Sequence, residues 1–81
     1  MSDVLTDLVG LVAEVSRTRP HEVTGASRFE QLAEWGSMAA LRLLAEVEPR
    51  WNVRLDLRRY LATETVAELA DVIAQERLRS A

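Results

Sequence analysis

Apolar residues fall along this chain in three helix-spaced runs and one short alternating run. Leu5, Leu8, Val12 and Val15 recur at steps of three and four, and Val4 and Leu11 widen the stripe. That spacing gathers side chains on one face of an α-helix. It predicts a first helix from Asp3 to about Ser16 or Arg17, capped by Ser2, with Asp3 and Asp7 near its positive end. Gly10 inside the helix costs roughly 1 kcal/mol against Ala, so a close helix crossing is the expectation there. From Thr18 to Gly36 the pattern breaks. Pro20 pushes Arg19 out of helical geometry, and Gly25 and Ser27 mark further turns. A loop this long rarely lacks all structure in a compact domain. A helical turn is therefore predicted around Phe29 to Leu32, with Phe29 in the core.

A second helix is predicted from Ser37 to about Glu48. Ala40, Leu44 and Val47 face the core, flanked by Leu43. Met38, Leu41 and Ala45 form another stripe, which on spacing alone reads as more core. Pro49 either ends the helix or distorts its last turn. Trp51 follows Val47 at core spacing, and Asn52 suits a left-handed turn after a helix. Val53 and Leu55 alternate with Arg54 as a short extended link. Asp56 to Leu61 reads as a brief third helix with Leu57, Tyr60 and Leu61 inward. Thr65 and Glu68 form a capping box that opens a fourth helix. Val66, Leu69, Val72 and Ile73 are its buried stripe, and Gln75 to Ala81 is expected to fray. The fold class is all-α: a small antiparallel four-helix bundle of three longer helices and one short one, with residues 1–81 as a single domain.

Composition narrows what such a bundle can do. With 81 residues, 48% hydrophobic and 28% charged, the chain is globular, and its core is thin. It has no cysteine, so neither a disulfide nor a thiolate metal site supports it. Thirteen acidic residues against ten basic ones give a net charge of -3, a poor balance for binding nucleic acid. The cluster Arg50, Arg54, Arg58 and Arg59 reads as a solvated face among Glu46, Glu48 and Asp56. A helix-turn-helix DNA binder is disfavoured by charge and by the short third helix. No apolar run approaches a membrane span, and Met1-Ser2-Asp3 is not signal-like, so a cytoplasmic location is expected.

An enzyme needs a constellation of groups, and none can be built here. His21 is the only histidine and lies in the irregular loop beside Pro20 and Glu22. Metal-ligand spacing and a glycine-rich phosphate loop are both absent. The chain is expected to be no enzyme but to present something or contact something. Ser37 is the residue that fits such a role. It opens the second helix, where its hydroxyl either caps the first turn or serves as an attachment point. A helix N-terminus offers free N–H groups and partial positive charge to a phosphodiester on that oxygen.

Phe29-Glu30-Gln31-Leu32, then Glu34-Trp35-Gly36-Ser37-Met38, then Leu41-Arg42-Leu43-Leu44, Trp51-Asn52-Val53 and Thr65-Val66-Ala67-Glu68-Leu69 follow in order. This series resembles the acyl and peptidyl carrier proteins, the phosphopantetheine-binding family, over roughly Leu5 to Ile73. The resemblance implies that a phosphopantetheinyl transferase attaches 4'-phosphopantetheine, taken covalently from coenzyme A, to Ser37. It implies further partners in acyl-loading and acyl-processing enzymes of a biosynthetic pathway, and a monomer. Gly36, Met38, Leu41, Arg42 and Ala45 are the positions that would meet those partners. Where the family has Asp before the serine, or His in many peptidyl carriers, this chain has Gly36. That Asp contributes to recognition by the transferase, so the departure bears on how efficiently Ser37 is modified. Trp35 before Gly36-Ser37 is similar to stand-alone carriers of specialised metabolism, such as polyketide or antibiotic biosynthesis. Two other readings are a peptidyl carrier of a nonribosomal pathway and an armless helical interaction domain.

Overall fold

The computed structural model describes residues 3–80. Its order is α1 (Val4–Ser16), a 3-10 turn (Pro20–Glu22), a second 3-10 turn (Phe29–Gln31), α2 (Ser37–Trp51), α3 (Leu57–Ala62) and α4 (Val66–Ser80). No strand interrupts this order among the described residues, so the all-α bundle of three longer helices and one short one stands. α1 packs on both α4 and α2. Leu8, Val12, Leu43, Val47, Val66, Leu69 and Ile73 are completely buried at the centre.

α1 is capped by Asp3, whose carboxylate accepts from the Leu5 N–H at 3.2 Å. The helix therefore starts at Val4, one residue later than the pattern predicts; Ser2 lies outside the described residues. Gly10 marks no close crossing: a methyl group built on it meets nothing within 4 Å. At the other end Ser16 is buried, and its hydroxyl donates to the Val12 carbonyl at 2.7 Å.

The long loop is not free chain. Pro20 starts a 3-10 turn that the sequence pattern does not show, and Val23 after it is buried. Further on, the backbone fastens to the start of α4. Ala67 N–H donates to the Gly25 carbonyl at 2.9 Å, Val66 N–H to Ser27 at 3.1 Å, and Phe29 N–H to Glu64 at 3.0 Å. Phe29 enters the core as expected.

α2 runs through Pro49 to Trp51, beyond the expected end at Glu48. Pro49 has no N–H to give the carbonyl four residues back, which belongs to exposed Ala45, where water can serve instead. Asn52 closes the helix in the left-handed region, φ 53°. On the inner face Leu43 is fully buried and Leu44 only partly, the reverse of the expected weighting. In α3 only Tyr60 points inward; Leu57 and Leu61 are 49% and 58% exposed, which corrects the expectation that all three face the core. α4 is helical to Ser80 rather than frayed from Gln75. Glu76 holds its last turns, 3.9 Å from Arg59 of α3 and 3.2 Å from Arg79.

Candidate functional site

The four helices differ in how their first turns are satisfied. α1 and α3 are capped by Asp3 and Asp56, the latter accepting from the Arg59 N–H at 3.1 Å. In α4 the loop carbonyls take the Val66 and Ala67 N–H groups, and Thr65 Oγ1 takes that of Glu68 at 3.2 Å. The Glu68 carboxylate reaches back to the Glu64 N–H at 2.9 Å, completing the expected capping box one residue early.

α2 is different. Its N-cap position is Gly36, not Ser37, and no side chain caps it. The first backbone bond of the helix runs from Ala40 N–H to the Gly36 carbonyl at 2.9 Å. The N–H groups of Ser37, Met38 and Ala39 thus precede the ladder, at the positive end of a 15-residue helix with no acidic residue in its first turn. Ser37 is exposed and sits at the first helical position. By contrast, Ser16 is buried and bonded to the backbone, and Ser27 Oγ accepts from the Thr24 N–H at 2.9 Å.

The approach to Ser37 is shaped by a turn. Glu34 lies in the left-handed region, φ 55°, a conformation that costs a non-glycine residue about 1 kcal/mol. Gly36 itself is extended, φ -170°, backbone that any residue adopts, and a methyl group there meets nothing within 4 Å. Backbone freedom is therefore not what Gly36 contributes. Gly36→Asp is expected to keep the fold and to raise the melting temperature slightly, since an aspartate cap exceeds glycine by a few tenths of a kcal/mol. Faster modification of this variant in a transferase assay would identify Gly36 as a weakened recognition residue.

Trp35 is half-buried and stacks on Phe29, with ring centroids 5.0 Å apart. Together with Ala40, Tyr60, Leu61 and Thr63 these rings line a cleft of ≈ 50 Å³ beside the start of α2. Sequence reasoning treated Tyr60 as ordinary core. Its hydroxyl instead donates to the Ala40 carbonyl in the first turn of α2. Burial pushes the phenol well above its usual value of 10.0, while the Leu44 N–H aimed at the same oxygen opposes the shift.

Met38 is 84% exposed and Leu41 54%, and Ala45 is exposed too, so this stripe of α2 faces outward rather than into the core. Arg42 on the same surface lies 3.9 Å from Glu46, an exposed pair worth little to stability. Leu57 and Leu61 of α3 add exposed apolar surface that the sequence pattern had assigned to the core. A six-residue helix burying one side chain gives periodicity too little to separate its faces. His21 is exposed, and no group of three metal-ligating side chains occurs among the described residues. No helix there is long and apolar enough to cross a membrane.

Ser37 thus stands exposed at the start of a helix that no side chain caps, on a small helical bundle. A model of the phosphopantetheine attachment site family matches residues 6–73, and the chain belongs to that family. Its prosthetic group is covalently attached 4'-phosphopantetheine, and carrier domains of this family are served by a phosphopantetheinyl transferase and by biosynthetic enzymes. No curated protein sequence matches the chain.

Proposed function

We propose that Ser37 is the attachment residue and that residues 1–81 work as one carrier domain without catalytic activity of its own. The observation that carries this reading is the first turn of α2, where an exposed hydroxyl stands among uncapped N–H groups. These residues fit the group. The Ser37 hydroxyl would bear the phosphodiester, and the first-turn N–H groups with the helix dipole would favour its negative charge. When bound, the arm supplies a terminal thiol that holds cargo as a thioester, chemistry that a chain without cysteine does not have.

In the attachment reaction the Ser37 oxygen bonds to phosphorus of coenzyme A. The bond from that phosphorus to adenosine 3',5'-bisphosphate breaks, and the hydroxyl proton passes to a base of the transferase. The protein is then an acyl carrier of polyketide or other specialised-metabolite biosynthesis in the cytoplasm. The sequence Trp35-Gly36-Ser37-Met38 and the absence of acidic residues from the first turn of α2 support this over a fatty-acid carrier. A peptidyl carrier of a nonribosomal pathway is the second reading, supported by the same residues. Incubation with coenzyme A, Mg²⁺ and broad-specificity transferases is expected to add one phosphopantetheine, read by intact mass. A chain that stays unmodified with several transferases would instead be an armless interaction domain.

Enzymes of the pathway meet the exposed stripe Met38, Leu41 and Ala45, with Gly36 and Arg42 at its edges, and the chain docks as a monomer. Rim charges set association rate and reject wrong partners. Arg42→Glu is expected to slow acylation by the dedicated partner and to improve acceptance by fatty-acid enzymes. Equal turnover of wild type and variant by both enzyme sets would remove Arg42 from recognition.

A further inference from the structure

α3 is held to the bundle by very little. It has six residues, only Tyr60 among them is buried, and its two leucines face outward. Its ties to α4 run from Arg59 to Gln75 and Glu76 and lie at the surface. The one buried tie is the Tyr60 hydroxyl, which spans 20 positions in sequence to reach Ala40. Ala40 in turn donates its N–H to the Gly36 carbonyl, and Gly36 is the N-cap from which Ser37 projects. A continuous path of hydrogen bonds thus joins α3 to the residue before the serine. The same tyrosine lines the cleft between Trp35 and Leu61.

We propose that Tyr60 is a positioning residue for Ser37: its hydroxyl clamps α3 on the Ala40 carbonyl and fixes the first turn of α2 in the geometry that loading requires. This rests on the attachment reading above. The clamp is placed where it has leverage. The hydroxyl is buried and donates to the Ala40 carbonyl. A buried polar group of this kind holds one arrangement because every alternative leaves a donor or acceptor unpaired. The first turn of α2 has no side-chain cap to hold it from the other side.

Tyr60→Phe keeps the ring and removes the clamp. Amide hydrogen exchange at Ala40 and Leu44 is expected to accelerate, while Val47 and Leu69 stay as protected as in wild type. The kcat of phosphopantetheine transfer should fall about fivefold, the range set by losing one hydrogen bond, with KM changed less than about twofold. Val12→Ala, in the core on α1, is the control for destabilisation alone and should leave kcat unchanged below its melting temperature. Unchanged exchange at Ala40 and Leu44, or unchanged kcat, would overturn the proposal. So would an equal loss in Val12→Ala. If Tyr60→Phe does not fold, the wild type decides. Tyr60 is the only tyrosine, so tyrosinate absorbance reports it alone. A clamped phenol ionises only as the protein unfolds in alkali, and ionisation near its usual value in the folded protein would overturn the clamp. If wild type is not loaded at all, the attachment reading fails. Exchange in Tyr60→Phe then still decides whether the hydroxyl sets the first turn.

Discussion

Ser37→Ala is expected to abolish phosphopantetheine loading completely and to leave the melting temperature within about 2 °C of wild type. The two halves of this result answer different questions. A serine that caps a helix costs about 1 kcal/mol when replaced by alanine, which in a domain this small moves the melting temperature by roughly 4–8 °C. Here the cap position is Gly36, and the Ser37 side chain is exposed at the first helical position. Alanine is itself the best helix former, so the substitution takes nothing from α2. On the proposed reading loading depends on the Ser37 oxygen, and Ser16 and Ser27 have theirs engaged elsewhere. Intact mass after transferase treatment and a thermal melt by circular dichroism measure both halves on the same sample. A cap-sized drop in melting temperature would mean that the hydroxyl belongs to the helix. Residual loading would mean that another residue takes the arm.

Trp51→Ala is expected to leave the chain largely unfolded. Trp51 ends α2 at 8% exposure, with Val47 one turn before it and buried Val53 two residues on. The Arg50 guanidinium lies over the ring, 5.6 Å from its centroid. Truncating a large aromatic in a core costs ~3–5 kcal/mol. A small domain has only ~5 kcal/mol or so in total. Far-ultraviolet circular dichroism at 25 °C should show most of the helix signal gone. Trp35→Ala is a useful contrast, because Trp35 is half-buried and rests mainly on Phe29. It should melt lower than wild type but remain folded at the same temperature. A Trp51→Ala protein that melts like wild type would put the core on another face of α2.

What the sequence made legible was whatever repeats locally. The stripes of α1 and α4 were readable because each has several apolar residues at steps of three and four, and all four predicted positions of α4 are buried. Asn52 and the Thr65–Glu68 cap were readable because their chemistry acts within a turn. The errors fall where a distant partner decides. Leu43 and Leu44 are neighbours about 100° apart around the helix, and only the position of α1 and α4 selects which is central. Leu57 and Leu61 looked inward because they flank Tyr60, but Tyr60 is the one α3 residue that is buried. The last turns of α4 looked frayed because their support, Arg59, comes from another helix. At the candidate site, Ser37 and the stripe Met38, Leu41 and Ala45 stood out in the sequence, whereas the way that stripe faces, Gly36 as the true cap residue and the Tyr60 bond to Ala40 did not. The cap depends on one dihedral angle and the tyrosine bond on a contact across the fold.

The fastening of the long loop to α4 also sets an order of events during synthesis. Gly25, Ser27 and Phe29 are held by Ala67, Val66 and Glu64, and Arg28 lies 2.9 Å from Glu64, 36 positions further along. A ribosome therefore delivers Ser37 well before it delivers the residues that anchor the turn leading to it. Contacts so far apart in the chain close only after the intervening segment has been made and has paid its loop-closure entropy. The serine exists early, but its setting is complete only once the start of α4 has left the exit tunnel and docked. An enzyme that reads the folded first turn of α2 thereby acts on finished bundles and passes over growing chains.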